Sequence, residues 1–109
     1  MNLTAKHCIA CRGGIPPLSL EAATQYHLQT PQWELRDNAT KIARHFKFSN
    51  FREALAFVQK VAELAETEGH HPDITFGWGY SEVLFYTHKI KGLHENDFIM
   101  AAKVDALVN

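Results

Sequence analysis

Thr40-Lys41-Ile42-Ala43-Arg44-His45-Phe46-Lys47-Phe48, followed by Asn50-Phe51-Arg52-Glu53-Ala54-Leu55 and on to Glu68-Gly69, is the stretch on which the fold turns. Its first part alternates. Ile42, Arg44, Phe46 and Phe48 share one side, and Lys41, Ala43, His45 and Lys47 the other. A period of two is the mark of a β-strand with one face buried. Arg44 interrupts the apolar side, which points to a strand end or an interface. From Asn50 the period lengthens to that of a helix. Phe51, Ala54, Leu55, Val58, Val61, Ala62 and Ala65 form an apolar stripe. Asn50 is a suitable N-cap, Glu53 three residues on can reach back in a capping box, and Gly69 stands where a C′ glycine belongs.

Outward from this strand–helix unit the other elements fall into place. Residues 1–17 read as an irregular arm, because Gly13-Gly14 and Pro16-Pro17 block regular structure. Ser19 caps a short helix that runs to about Leu28 and stops before Pro31. Trp33 to Arg36 is a short strand, and Asp37-Asn38 a turn. Ile74–Trp78 and Ser81–His88 read as two strands joined near Gly77 and Gly79. A last helix opens at His94, with Asp97 at its third position, and ends near Val108. The order predicts an α+β domain: two layers, a four-stranded antiparallel sheet with three helices packed on one face. The domain proper is residues 18–109.

The chain has 109 residues, 46% hydrophobic and 21% charged, with a net charge of −1. Such a chain is one domain with a modest core, and self-association would help it. There is no basic excess of the kind that neutralises phosphates, so direct nucleic-acid binding is not expected. No apolar run suits a membrane span or a secretory signal, which makes the cytoplasm the expected compartment. The two cysteines form a single Cys8-Ile9-Ala10-Cys11 motif. In a reducing compartment it reads as a dithiol of minor structural role. Two ligands alone do not close a zinc site.

Three of the seven histidines fall at His70, His71 and His88. Imidazole is the side chain whose ordinary pKa lies nearest neutrality, so such groups can give and take protons there. His70 and His71 follow the long helix. Pro72 biases His71 toward an extended backbone, so the two rings can reach different surroundings. His88, at the end of a later strand, returns to the same end of the sheet if that strand pairs with the one after Pro72. Glu66 lies one helical turn before His70, close enough to orient an imidazole. Three histidines and a carboxylate can also bind zinc. Adjacent histidines are awkward ligands for one ion, however, and the HExxH spacing is absent. On spacing alone, three surface histidines with Asp97 as a helix cap is an equally good reading.

The pattern Glu66, His70-His71-Pro72, Trp78, Thr87-His88 and Asp97 resembles that of the pterin-4a-carbinolamine dehydratase family (4a-hydroxytetrahydrobiopterin dehydratases). The gaps of five, nine and eight residues after Pro72, Trp78 and His88 suit that family. Trp33, Phe46-Lys47-Phe48, Phe51 and Gly92-Leu93 also look like family positions. The likeness runs from about Leu18 to Leu107. The arm is similar to an extension in many bacterial members. His94 departs from the usual serine or threonine before the last helix, and Ile74 stands where many animal members carry an aromatic.

The resemblance implies loss of water from 4a-hydroxytetrahydropterin to give quinonoid dihydropterin, in tetrahydrobiopterin recycling. It implies no metal or redox cofactor, the pterin being the substrate. It also implies a functional link to an aromatic amino acid hydroxylase. Acid and base groups near neutrality suit this chemistry. By analogy His70 and His88 act as acids at the 4a-hydroxyl, and His71 binds or orients the ring and is the alternative acid–base group. Glu66 and Asp97 fix imidazole tautomers. Gly69, Pro72 and the run Tyr86, Thr87, His88 and Lys89 line the pocket. Trp33 and Trp78 are expected in core or rim packing. The family also implies a homodimer or homotetramer. Its animal members bind a homeodomain transcription factor, which gives protein binding as the alternative function. A divergent role in molybdopterin metabolism is another.

Overall fold

A computed structural model describes residues 3–9 and 15–108. Its elements run in the order α1 (Leu20–His27), β1 (Glu34–Arg36), β2 (Lys41–Lys47), α2 (Phe51–Glu68), β3 (Asp73–Gly77), β4 (Tyr80–Phe85) and α3 (Glu95–Val108). Short 3₁₀ turns form at Leu3–Ala5 and His88–Ile90. The four strands make one antiparallel sheet in the order β1-β2-β4-β3. This is the α+β two-layer architecture expected from the sequence.

Strand register sorts the side chains. Ile42 faces Phe85, Arg44 faces Val83 and Phe46 faces Ser81, all on the side covered by helices. Ile74 and Phe76 of β3 extend that side. Paired residues share a face, so one alternation decides the whole layer. The core joins Ile42, Phe46, Val83 and Phe85 to Ala23 of α1, Phe57, Val61 and Ala65 of α2, and Phe98, Ile99, Met100, Ala101 and Val104 of α3. The opposite face is polar. There the Arg36 guanidinium grips both carboxylate oxygens of Glu82 at 3.1 Å, and His45 stacks on Tyr80.

Arg44 sits on the core side without disrupting it. Its stem lies along the Phe46 ring, with the guanidinium carbon 4.5 Å from the ring centre. Its Nη1 donates to Asp105 Oδ1 of α3 at 2.5 Å, and the Trp33 indole donates to the same oxygen at 2.8 Å. The charge is therefore paired at the sheet–helix contact, as burial of a charge requires.

Helix ends follow their capping residues. The Ser19 hydroxyl accepts from Ala22 N–H, and Asn50 Oδ1 accepts from Glu53 N–H. Glu53 reaches back one residue further than a simple capping box, taking the Ser49 N–H at 3.0 Å. The stripe of α2 is also rotated from the one read in the sequence. Ala54, Phe57, Val61 and Ala65 are buried, while Phe51, Leu55 and Ala62 are exposed. The two choices differ by less than one helical step, and the position of the sheet selects between them.

The second hairpin strand also ends earlier than expected. β4 stops at Phe85, and His88 opens a 3₁₀ turn instead of closing a strand. Thr87 bridges to Gly92, with Thr87 N–H donating to Gly92 O at 2.9 Å. Gly92 is closely covered by Pro17: a Cβ added there would lie 2.5 Å from the Pro17 Cβ. In the described part of the arm, Leu3 is buried in the core. Cys11, and with it the Cys8/Cys11 pairing question, lies outside the described residues; among the described residues Cys8 has no disulfide partner. Among the described residues no helix is long and apolar enough to cross a membrane.

Candidate active site

Gly69 ends α2 in the left-handed conformation, φ 68°, which a glycine adopts at no steric cost. The chain then enters β3, and the two adjacent histidines part company. His70 turns inward. Its ring lies nearly parallel to Phe85, and its Nε2 is 2.6 Å from Asp97 Oδ1. His71 turns outward, and its Nε2 pairs with Glu66 Oε2 of the last turn of α2. Glu66 therefore serves His71 and not His70, contrary to the helical-turn argument. A reversal of direction at Gly69 breaks the helical spacing on which that argument rested.

Asp97 is fully buried. Besides His70 it accepts from the Thr87 hydroxyl at 2.8 Å and from the His94 backbone N–H at 2.9 Å, both on Oδ2. In return His94 Nδ1 accepts from Asn96 N–H at 3.0 Å. The imidazole thus replaces the hydroxyl of a capping box, and Asp97 supplies its acidic half. One carboxylate caps α3 and aligns a histidine at once. With Oδ2 occupied by two donors, Oδ1 is left for His70, whose Nε2–H donates to it. The nitrogen of His70 left for other chemistry is Nδ1.

A cleft of about 400 Å³ opens beside these residues. It is lined by Gly69, His70, His71, Tyr86, Thr87, His88, Lys89 and Ile9. The three histidines named from the sequence thus share one cleft, although they come from a helix end and a 3₁₀ turn. The His88 ring lies 4.1 Å from the Tyr86 ring. Pro72 does not line the cleft; it sits half-buried behind His71 in the chain. Glu66 and Asp97 lie behind the histidines they contact. Trp33 is a core residue, whereas Trp78 is 71% exposed on the β3–β4 turn and remote from the lining residues. Among the described residues, no group of three histidine, cysteine, aspartate or glutamate side chains is placed to hold a metal ion.

Two contributors were invisible in the sequence. Ile9 arrives from the arm, and Asn96 holds it there. Asn96 Oδ1 accepts Ile9 N–H at 3.1 Å, and Asn96 Nδ2 donates to Ile9 O at 2.7 Å. Beside it, Glu68 Oε1 accepts Cys8 N–H at 2.8 Å, while Lys103 Nζ and His7 Nδ1 meet Oε2 at 2.9 and 3.0 Å. Burial raises the pKa of Glu68, but these three partners outweigh it and hold the carboxyl down at about 2. Burial, then the Glu68 charge, push the Cys8 thiol up to about 12. These contacts span 35 to 87 positions of chain, and no local pattern announces them.

An α+β domain with a histidine-lined cleft and a buried aspartate behind one ring defines a candidate acid–base catalyst. Residues 16–107 match the sequence model of the family described as pterin 4 alpha carbinolamine dehydratase, and the chain belongs to that family. A Methylococcus capsulatus protein provisionally named pterin-4-alpha-carbinolamine dehydratase is 64% identical over 97% of this chain and 93% of its own. One from Halorhodospira halophila with the same provisional name is 57% identical over 98% of each. Among solved structures, a transcriptional coactivator/pterin dehydratase from Brucella melitensis superposes with a TM-score of 0.79 at 29% identity, covering 85% of this chain and 99% of that one. A pterin dehydratase-like protein described as a RuBisCO assembly factor of the α-carboxysome gives 0.62 at 28% identity, over 72% and 94%. The dehydratases of this family are hydro-lyases.

Proposed function

We propose that this protein removes water from 4a-hydroxytetrahydropterin to give quinonoid dihydropterin, by histidine acid–base catalysis, in the recycling of a tetrahydropterin used by an aromatic amino acid hydroxylase. The observation that carries the reading is the convergence of His70, His71 and His88 on one cleft, with His70 aligned by buried Asp97. The reaction breaks the C4a–O bond. Hydroxide is a poor leaving group, so an imidazolium protonates the oxygen as it departs as water. The N5 proton passes to a neutral imidazole, and the N5 electron pair forms the C4a=N5 bond. One proton is given and one is taken, so the histidines end with the same total charge. His70 and His88 serve as acids at the hydroxyl, and His71 orients the ring and takes part in the N5 transfer. Asp97 and Glu66 fix the tautomers of His70 and His71. Gly69, Tyr86, Thr87 and Lys89 line the substrate's seat.

Stopped-flow decay of 4a-hydroxytetrahydropterin, generated by a hydroxylase, tests this. Wild type should accelerate decay, and His70→Ala and His71→Ala should each lose about 10²–10⁴-fold of that acceleration. A folded wild type that leaves the decay rate unchanged overturns the reading.

A second reading concerns assembly. The sheet order leaves β1 and β3 as edges, and Phe51, Leu55 and Trp78 are exposed at one end of the domain. Unpaired edges and exposed apolar side chains favour pairing with another chain. A homodimer or homotetramer covers them. Light scattering on the eluting protein should give a mass of two or four chains, and a monomer at micromolar concentration would rule it out. The coactivator and assembly-factor titles of the two solved relatives make binding to a different protein the competing use of this surface.

A further inference from the structure

We infer that the described segment of the N-terminal arm that ends at Ile9 is part of the substrate site, and that Ile9 is a substrate-positioning residue that packs against the flat pterin. The inference rests on the dehydratase reading above and deepens it. Ile9 lines the cleft and is 66% exposed. An isoleucine that open to water has no packing role of its own. Its backbone, in contrast, is firmly held. Both its N–H and its carbonyl are taken by the buried amide of Asn96, at 3.1 and 2.7 Å. The preceding N–H, of Cys8, is taken by Glu68, whose side chain is 4% exposed. Cys8 Sγ also approaches Asn96 O at 3.7 Å.

Two buried polar side chains, one from α2 and one from α3, are thus used to fix an apolar side chain over a cleft. The other lining residues are Gly69, three histidines, Tyr86, Thr87 and Lys89, so Ile9 is the aliphatic wall among the described ones. A pterin is a planar bicycle with hydrogen-bonding edges and two apolar faces. Polar groups recognise its edges; a face needs a surface such as a fixed aliphatic side chain. Asn96 neighbours Asp97 in α3, so the same helix N-terminus aligns His70 and positions Ile9.

The test compares wild type, Ile9→Ser and Asn96→Ala in the dehydration assay, with dissociation constants for 7,8-dihydrobiopterin as a stable reduced pterin. Ile9→Ser alters an exposed side chain and should fold normally. Its KM and its dihydrobiopterin Kd should rise about 3- to 10-fold, as expected for partial loss of one apolar contact, with kcat within about twofold. Asn96→Ala, with its fold checked by circular dichroism, should raise KM similarly by freeing the arm while Ile9 stays in the sequence. If Asn96→Ala does not fold, Asn96→Asp replaces it, because it deletes the amide donor to the Ile9 carbonyl and keeps Ile9 in the sequence. An active wild type with unchanged KM and Kd in Ile9→Ser overturns the inference and leaves the dehydratase reading standing. A fall in kcat at constant KM overturns it too. A wild type without dehydratase activity fails at the earlier step and takes the inference with it.

Discussion

Asp97 accepts three hydrogen bonds from three different parts of the chain: the His70 ring, the Thr87 hydroxyl and the His94 backbone. Removing it strands all three donors in a buried place. Replacement of a buried, fully bonded carboxylate by alanine is expected to cost about 3–5 kcal/mol. Asp97→Asn keeps the volume but can offer a donor where two donors already point. We expect Asp97→Asn to fold with a lowered melting temperature and to lose at least about tenfold in kcat, since His70 loses its alignment. Melting and stopped-flow assays on the same preparation check this. Full activity in Asp97→Asn would mean that the His70–Asp97 contact is structural only. At this scale the sequence was informative about residue type and poor about partners. His70, His71 and His88 were legible through the family resemblance, since their spacing alone left two readings open, but the pairing of Glu66 with His71 depended on the turn at Gly69.

Among the elements, α2 is the best test of packing. Phe57 touches Phe46 and Phe48, with ring centres 4.6 and 5.2 Å away, and is buried. Leu55, read from the sequence as part of the stripe, is 37% exposed. Phe57→Ala should destabilise the domain by about 3–5 kcal/mol, and Leu55→Ala by less than about 1 kcal/mol in the monomer. Urea unfolding of the two variants decides; equal losses would show that the helix is rotated back to the sequence-based face. Helix boundaries were legible because capping is local: Ser19, Asn50 and Gly69 act on neighbours three or four residues away. The burying face was not, because alanines and large apolar residues surround α2 broadly enough to permit two faces. The end of β4 was missed for a related reason. Tyr86 to His88 keeps a strand-like alternation, and the Thr87–Gly92 bridge that ends the strand is closed by the chain beyond it.

For the whole molecule, the arm is tied to the helices through Glu68, and this tie depends on pH. The folded-state pKa of Glu68, about 2, lies below the ordinary 4.5. Between those values the unfolded chain binds the proton and the folded one does not. Stability from the Glu68 contacts is therefore full above about 4.5 and falls away as pH drops toward about 2. The melting advantage of wild type over Glu68→Gln should shrink across that window and stay level above it. An advantage that persists undiminished at the acid end would place the anchoring of the arm elsewhere.

The sequence by itself determined what is local or periodic. Two-residue alternation in β2, the helical stripe of α2 and the cap residues were sufficient for an α+β domain with a sheet covered on one side. The histidine pattern, through the family resemblance it carries, named the side chains that line the cleft. Tertiary structure alone decided which carboxylate meets which imidazole, which face of α2 is buried, why Arg44 is tolerated beside Phe46, and that Ile9 reaches the cleft. Apart from the Glu66–His71 pair, which the turn at Gly69 sets over five residues, each of these depends on chain segments brought together from tens of residues apart. Their contacts follow from how layers pack, and neighbouring residues carry no record of them.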